Sequence, residues 1–315
     1  MLAFTLARAH AAQGKRMLLT CFNKALAQWL AQSLHGVPGV DVFHFHDLAR
    51  VLSLEAGLKY DIPADPQALG AFFRDTSPEL LLTAADSLGA RCDSLVVDEA
   101  ADFSPTWWVA LEALGRSGFS WYCFYDRQQC LFQSGQSWEP PFQAEPMLLD
   151  ANLRNTRPIG ELAARMGGCA QPPEFMVEMG EAPQVRRSAD FVGMAAQLKA
   201  LLRELLGKQG LRPEQVVVLS PYKHTNASSA WATGLAGTPV TTDMLSPDAA
   251  LLRVGTVQGF KGLEADVIIL AGLDERSTRY PETLYVGASR ARAALYVLAL
   301  DGVMPTVLPD GNNGH

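Results

Sequence analysis

Leu95-Val96-Val97-Asp98-Glu99-Ala100-Ala101-Asp102-Phe103 is the stretch on which the reading of the whole chain turns. It is an apolar run that stops at two adjacent acids. Its β-branched residues favour an extended backbone. Its unbroken hydrophobicity suits a strand covered on both faces, as in parallel sheets packed between helices. Such sheets bind ligands outside the carboxyl ends of their strands. There Asp98 can hold Mg2+ through water while Glu99 orients a hydrolytic water. Taken alone, the commoner explanation of such a pair is a strand followed by an acid-capped first helical turn. The surrounding sequence has to choose.

Outward from this stretch, short β-branched and apolar runs alternate with longer helical patterns. The runs are Arg16 to Phe22, Asp41 to Phe45, Ser94 to Val97, Ser120 to Tyr125, Met147 to Leu149, Val216 to Leu219, Leu251 to Thr256, Asp266 to Leu270 and Leu295 to Leu300. Strands of this length spaced by helices predict an α/β protein with parallel sheets. Residues 1–12 read as a helix ending at Gly14, and 189–207 as an amphipathic helix. Cys169 to Ser188, with Pro172, Pro173 and Pro183, reads as loop. The Pro-rich stretch Trp138 to Pro146 marks the boundary between a first lobe, residues 1–146, and a second, 147–300, followed by a tail, 301–315, disordered from Pro309.

At 315 residues each lobe has room for its own core. Apolar residues make up 48% and charged ones 19%, the balance of a folded protein. No apolar run is long enough for a bilayer, so no membrane partner is expected. The apolar start ending in Ala9-His10-Ala11 is not read as a leader, because no basic stretch precedes it and Arg8 interrupts it. The five cysteines form no Cys-x-x-Cys pair, which argues against a zinc site or disulfide framework and for a reducing, cytoplasmic setting. His44 and His46 would share one side of a strand, with no third metal ligand in view. A net charge of −7 argues against a protein that holds nucleic acid mainly through a broad basic surface, but not against a strand held locally by stacking and a few phosphate contacts.

Several stretches, in order, resemble the motifs of superfamily 1 DNA helicases of the UvrD/Rep type. Thr20-Cys21-Phe22-Asn23-Lys24-Ala25 is similar to the Thr-Phe-Thr-Asn-Lys-Ala segment with which that family touches single-stranded DNA. Phe45-His46-Asp47-Leu48 resembles its Phe-His-Ser-Phe, and Leu95 to Asp98-Glu99 its Walker B strand. Tyr125-Asp126-Arg127-Gln128-Gln129-Cys130-Leu131-Phe132 resembles Gly-Asp-Asp-Asp-Gln-Ser-Ile-Tyr. Asn152-Leu153-Arg154-Asn155-Thr156 resembles Asn-Tyr-Arg-Ser-Thr. Gly255-Thr256-Val257-Gln258-Gly259-Phe260-Lys261-Gly262-Leu263-Glu264 is similar to Thr-x-His-x-x-Lys-Gly-Leu-Glu, and Tyr285 to Arg292 to Tyr-Val-Ala-x-Thr-Arg-Ala.

The resemblance implies two RecA-like lobes and an ATP-dependent DNA helicase or translocase running 3′ to 5′, with ATP and Mg2+ as cofactors. Its site residues carry over as follows. Asp98 would hold Mg2+ through water, Glu99 would serve hydrolysis, and Gln129 and Arg154 would contact phosphate. Arg290 would be the arginine finger, with Gly262 and Glu264 also at the nucleotide. Thr20, Phe22, Asn23, Lys24, His46, Phe132 and Thr256 would meet single-stranded DNA or a single/double-strand junction. A DNA-repair setting and a nuclease or repair partner follow from the same resemblance. The wording Leu-Leu-Thr-Cys-Phe-Asn and Phe-Lys-Gly-Leu-Glu resembles the helicase part of proteins carrying a nuclease-related domain.

The pattern also breaks. No Gly-x-x-Gly-x-Gly-Lys-Thr (Walker A) loop occurs in the sequence. In the resembled family it sits just before the opening helix, so a first lobe without its first strand and phosphate loop, and poor or no ATP hydrolysis, are expected. Ala101 stands for a glutamine, Leu153 for an adenine-stacking tyrosine and Gln258 for a histidine. The alternative expectation is a catalytically inactive helicase-like module that binds DNA or a protein.

Overall fold

The computed structural model describes residues 2–126, 140, 142–143, 146–149, 151–169, 173–223, 235 and 237–308. Two compact units divide the chain, Met1–Glu145 and Pro146–His315.

In the first unit the order is α1 (Leu2–Ala12), β1 (Met17–Cys21), α2 (Lys24–Ser33), β2 (Val40–His44), α3 (Phe45–Glu55), α4 (Pro66–Ala71), α5 (Ser77–Leu88), β3 (Cys92–Asp98), α6 (Pro105–Glu112) and β4 (Gly115–Cys123). The strands pair in parallel in the order β2-β1-β3-β4. Alternation along each strand sends neighbours to opposite faces. Met17, Leu19, Cys21 and Val96 pack with Ala3, Ala7, Leu26 and Leu30 of α1 and α2. Leu18, Leu95 and Val97 pack on the other side with Leu48, Leu81 and Leu111 of α3, α5 and α6. Both faces are therefore covered, which is why β1 and β3 read as continuous apolar runs.

In the second unit the order is β5 (Ala151–Thr156), α7 (Arg157–Met166), β6 (Glu174–Val177), β7 (Gln184–Ser188), α8 (Phe191–Leu202), β8 (Val216–Ser220), β9 (Val240–Thr241), β10 (Leu252–Thr256), β11 (Ala265–Leu273), α9 (Pro281–Ala288) and β12 (Ala291–Leu300). One parallel sheet runs β7-β12-β11-β8-β10-β9, and β5 pairs β6 in a small parallel sheet of their own. The Asp190 side chain caps α8 by accepting from Gly193 N at 2.8 Å, and Met194, Leu198 and Leu202 lay that helix on Val216, Val218, Ile269 and Leu298. After β12, Val303 and Leu308 are buried, and the Arg187 guanidinium donates to the carbonyls of Leu300, Val303 and Leu308. Residues 309–315 lie outside the described residues.

The expected α/β class with parallel sheets is the observed one. Local differences have physical reasons. Cys169 to Ser188 is not all loop, because it contains β6 and β7. These are short strands with few buried residues, and Arg186 and Arg187 on β7 mark it as the kind of charged edge strand that hides from hydrophobicity. Met147 to Leu149, read as a strand, forms none. All three side chains are exposed, Met147 at 89%, and among the described residues no strand pairs with them. The strand expected at Ser120 to Tyr125 begins earlier, at Gly115. The helix expected over 189–207 is α8 followed by a π-helical turn, Arg203–Lys208.

Candidate functional site

In the first unit the functional candidates gather at the carboxyl ends of β1 and β3, where Cys21 lies in register beside Asp98. Asp98 and Glu99 are half-buried. The Asp98 Oδ1 accepts from the Glu99 N–H at 2.9 Å. Glu99 has φ 54° and ψ 40°, the left-handed region that costs a side chain with a Cβ. Strain of this kind is held where surrounding structure over-determines it, often at functional sites. Burial, and after it the charges of Asp98 and Glu99, push the Cys21 thiol well above its ordinary pKa, so this thiol is no nucleophile.

The predicted nucleic-acid residues of this unit occupy different environments. Lys24 is exposed at the start of α2. Asn23 is buried and caps that helix, its Oδ1 accepting from Leu26 N at 3.0 Å. Phe22 is half-buried and stacks on Trp107, centroids 5.7 Å apart. Thr20 is fully buried within β1. His46 sits among Trp107 and Phe73, with ring centroids 4.6 Å and 4.7 Å away, and its Nδ1 is 2.9 Å from Ser77 Oγ. Burial, and then the neighbouring His44, lower its pKa to about 3. Gln129 and Phe132 lie outside the described residues.

In the second unit three stretches far apart in sequence meet. Arg154 on β5 donates through Nε to Glu264 Oε2 at 2.9 Å, and Arg292 Nη1 stands 3.5 Å from Glu264 Oε1. Asn155, beside Arg154, donates to the carbonyls of Ser289 and Ala291 at 2.9 Å and 2.6 Å. Arg290, between those two residues, is buried. Its Nε donates to Val286 O at 3.1 Å, Nη2 to Ser289 Oγ at 3.0 Å and Nη1 to Leu263 O at 3.5 Å. Gly262 has φ +82°, so the turn that delivers Glu264 needs a residue without a Cβ. Thr256 ends β10, and its Oγ1 accepts from Gly259 N at 3.0 Å, holding the start of that turn.

Residues 251–298 match the family model of the UvrD-like helicase C-terminal domain. The matched stretch contains Thr256, Gly262, Glu264, Arg290 and Arg292, and leaves Arg154 and Asn155 outside it. A solved structure described as the C-terminal domain of a possible DNA helicase from Lactobacillus plantarum WCFS1 is 20% identical, with a TM-score of 0.38, covering 51% of this chain and 94% of its own. No curated protein matches the chain.

Two participants were not singled out in the sequence. Arg292 could have been found as a charged, exposed residue at the start of an otherwise apolar strand, β12. Asn155 had no such signal, since one asparagine among the polar residues of a short strand is unremarkable until its partners are known. Among the described residues no group of three or more His, Cys, Asp or Glu side chains could hold a metal ion. No helix among them is long and apolar enough to cross a membrane.

Proposed function

We propose that the chain is the motor core of an ATP-dependent DNA helicase or translocase of the UvrD/Rep type, acting 3′ to 5′ on single-stranded DNA or single/double-strand junctions in DNA repair. The observation that carries this reading is the meeting of Arg154 with Glu264, 110 residues away, and of Asn155 with the carbonyls flanking Arg290, more than 130 residues away. The resemblance reads these same stretches as one phosphate-handling apparatus, and the match over 251–298 supports it.

Individual residues offer what the cofactors named would need, although no Gly-x-x-Gly-x-Gly-Lys-Thr loop occurs in the sequence to cradle the phosphates. Asp98 offers a hard carboxylate oxygen at the carboxyl end of a parallel strand, suited to Mg2+ and its retained waters. Arg154, more than a third exposed, suits the phosphates of ATP, whose hydrolysis would supply the energy for movement, because a guanidinium offers several donors to a phosphoryl group. Arg290 is buried, and its guanidinium would meet a phosphate by exchanging its bonds to Val286 O, Leu263 O and Ser289 Oγ. Glu99 would orient the attacking water, and Lys24 and Thr256 would contact the DNA backbone. A second reading, a helicase-like module that binds DNA or a protein without turnover, is favoured by Leu153. That side chain is 73% exposed at the place of a base-stacking tyrosine, and it has no aromatic face to offer.

Titration of a fluorescent ATP analogue with Mg2+ against the purified chain separates the readings. Saturable binding weakened by Arg154→Ala in folded protein supports the motor. Saturable binding that Arg154→Ala leaves unchanged overturns the assigned site, and no binding, with single-stranded DNA still bound, favours the second reading.

A further inference from the structure

Asn155 is 2% exposed, and both N–H donors of its amide are in use. Nδ2 lies 2.9 Å from Ser289 O and 2.6 Å from Ala291 O. Carbonyls only accept, so the amide nitrogen must face them and Oδ1 must point away. Oδ1 then accepts from Asn152 Nδ2 at 2.9 Å. Asn152 is fixed in turn, its own Oδ1 accepting from the backbone N–H of Arg154 and of Asn155, each at 3.0 Å. The circuit closes on the other side, where Ala265 N donates to Arg290 O at 3.1 Å while the adjacent Glu264 pairs with Arg154. Arg154 and Arg290 are thus tied to each other along two routes, one through Glu264 and Ala265 and one through Asn155.

We infer that Asn155 is a positioning residue for Arg290: its amide clamps the main chain on both sides of that arginine and so fixes its spacing from Arg154. The inference rests on the proposed role of Arg290 at a phosphate, which its guanidinium would reach by exchanging its present bonds to Val286 O, Leu263 O and Ser289 Oγ. The resembled motif has serine at this place, and one hydroxyl proton can bridge only one of the two carbonyls. The two-handed grip is therefore a property of this chain. A merely structural amide would satisfy the same two carbonyls, but its loss would cost the same whatever stood at position 290.

The test is a double-mutant cycle on the full chain, reading affinity for a fluorescent ATP analogue with Mg2+ per folded molecule, with thermal unfolding measured on every variant. The variants are Asn155→Ala, Arg290→Gln and the pair. Expected are a loss of roughly tenfold for each single change, about 1.4 kcal/mol, and no further loss when Asn155→Ala is added to Arg290→Gln. Asn155→Ser should recover part of the affinity, and it carries the same cycle if the alanine variant does not fold. Equal losses from Asn155→Ala in both backgrounds, or none in either, overturn the inference and leave the role of Arg290 standing. No effect of Arg290→Gln alone, or no binding by the parent chain, removes that role and the inference with it.

Discussion

Arg154 Nε lies 2.9 Å from Glu264 Oε2 with both side chains more than a third exposed, while the next residue, Asn155, is buried with its amide fully bonded. Adjacent residues on β5 therefore serve opposite ends. An exposed ion pair contributes about 0–1 kcal/mol. A buried group whose loss strands two carbonyls costs about 1–3 kcal/mol. Arg154→Ala should leave urea-unfolding stability within about 1 kcal/mol of the parent, and Asn155→Ala should lower it by about 1–3 kcal/mol. A large loss from Arg154→Ala would show that this arginine holds the fold together and would remove the reason to give it to a ligand.

His46 makes the fold acid-sensitive. Its folded-state pKa, about 3, lies below the ordinary value near 6.5 of the unfolded chain, so below that value the unfolded chain takes up the proton and the folded chain does not. Its contribution is therefore complete above the unfolded value and falls away as pH drops toward 3, with a slope approaching 1.4 kcal/mol per pH unit. His44, also lowered chiefly by burial, acts with the same sign. Unfolding measured from pH 7 to pH 4 should show a shallower decline in His46→Gln than in the parent. Superimposable slopes would mean that His46 is not buried as a neutral ring.

Glu99 holds a left-handed backbone that a glycine adopts without strain. Relief of about 1–2 kcal/mol is offset in part by the greater freedom glycine has when unfolded, about 0.4–1 kcal/mol. Glu99→Gly should accordingly be neutral to stabilising by up to about 1.6 kcal/mol, while any turnover the carboxylate supports is lost. Calorimetric unfolding of Glu99→Gly beside Glu99→Gln checks this, since only the glycine should gain. A glycine variant less stable than the glutamine one would contradict the strain.

Much of the fold was legible because burial on both faces writes continuous apolar runs, and β1, β3, β8, β11 and β12 all lie where such runs stand. Edge strands obey other rules. β7 carries Arg186 and Arg187, and β6 holds the apolar triplet Phe175 to Val177, of which only Phe175 is buried, so neither shows the long buried run of a central strand. Met147 to Leu149 shows the converse, since an apolar run without a partner strand is no strand. The turn at Gly262 and the exposed Lys24 could be placed from motif wording. The enclosure of His46 by Phe73 and Trp107, the left-handed Glu99 and the Asn155 clamp could not, because each depends on residues brought together by tertiary structure.

Phe132, outside the described residues, is proposed to stack on a DNA base. Loss of one stack costs about 1–3 kcal/mol, so Phe132→Ala should weaken single-strand binding roughly tenfold to hundredfold with its salt dependence little changed, because no phosphate contact is removed. If thermal unfolding drops sharply while affinity per folded molecule is unchanged, the ring belongs to the core and the stacking role fails.

The central claim is that this acidic chain grips single-stranded DNA at local contacts. Its most direct test is an anisotropy titration of a labelled single-stranded oligonucleotide, with blunt duplex of the same sequence as competitor, across a series of salt concentrations for the parent and for Lys24→Ala. The account predicts binding that favours the single strand, and a salt slope reduced by about one phosphate contact's worth when Lys24 is removed. No binding, or equal binding of both forms with a slope indifferent to Lys24, would contradict it.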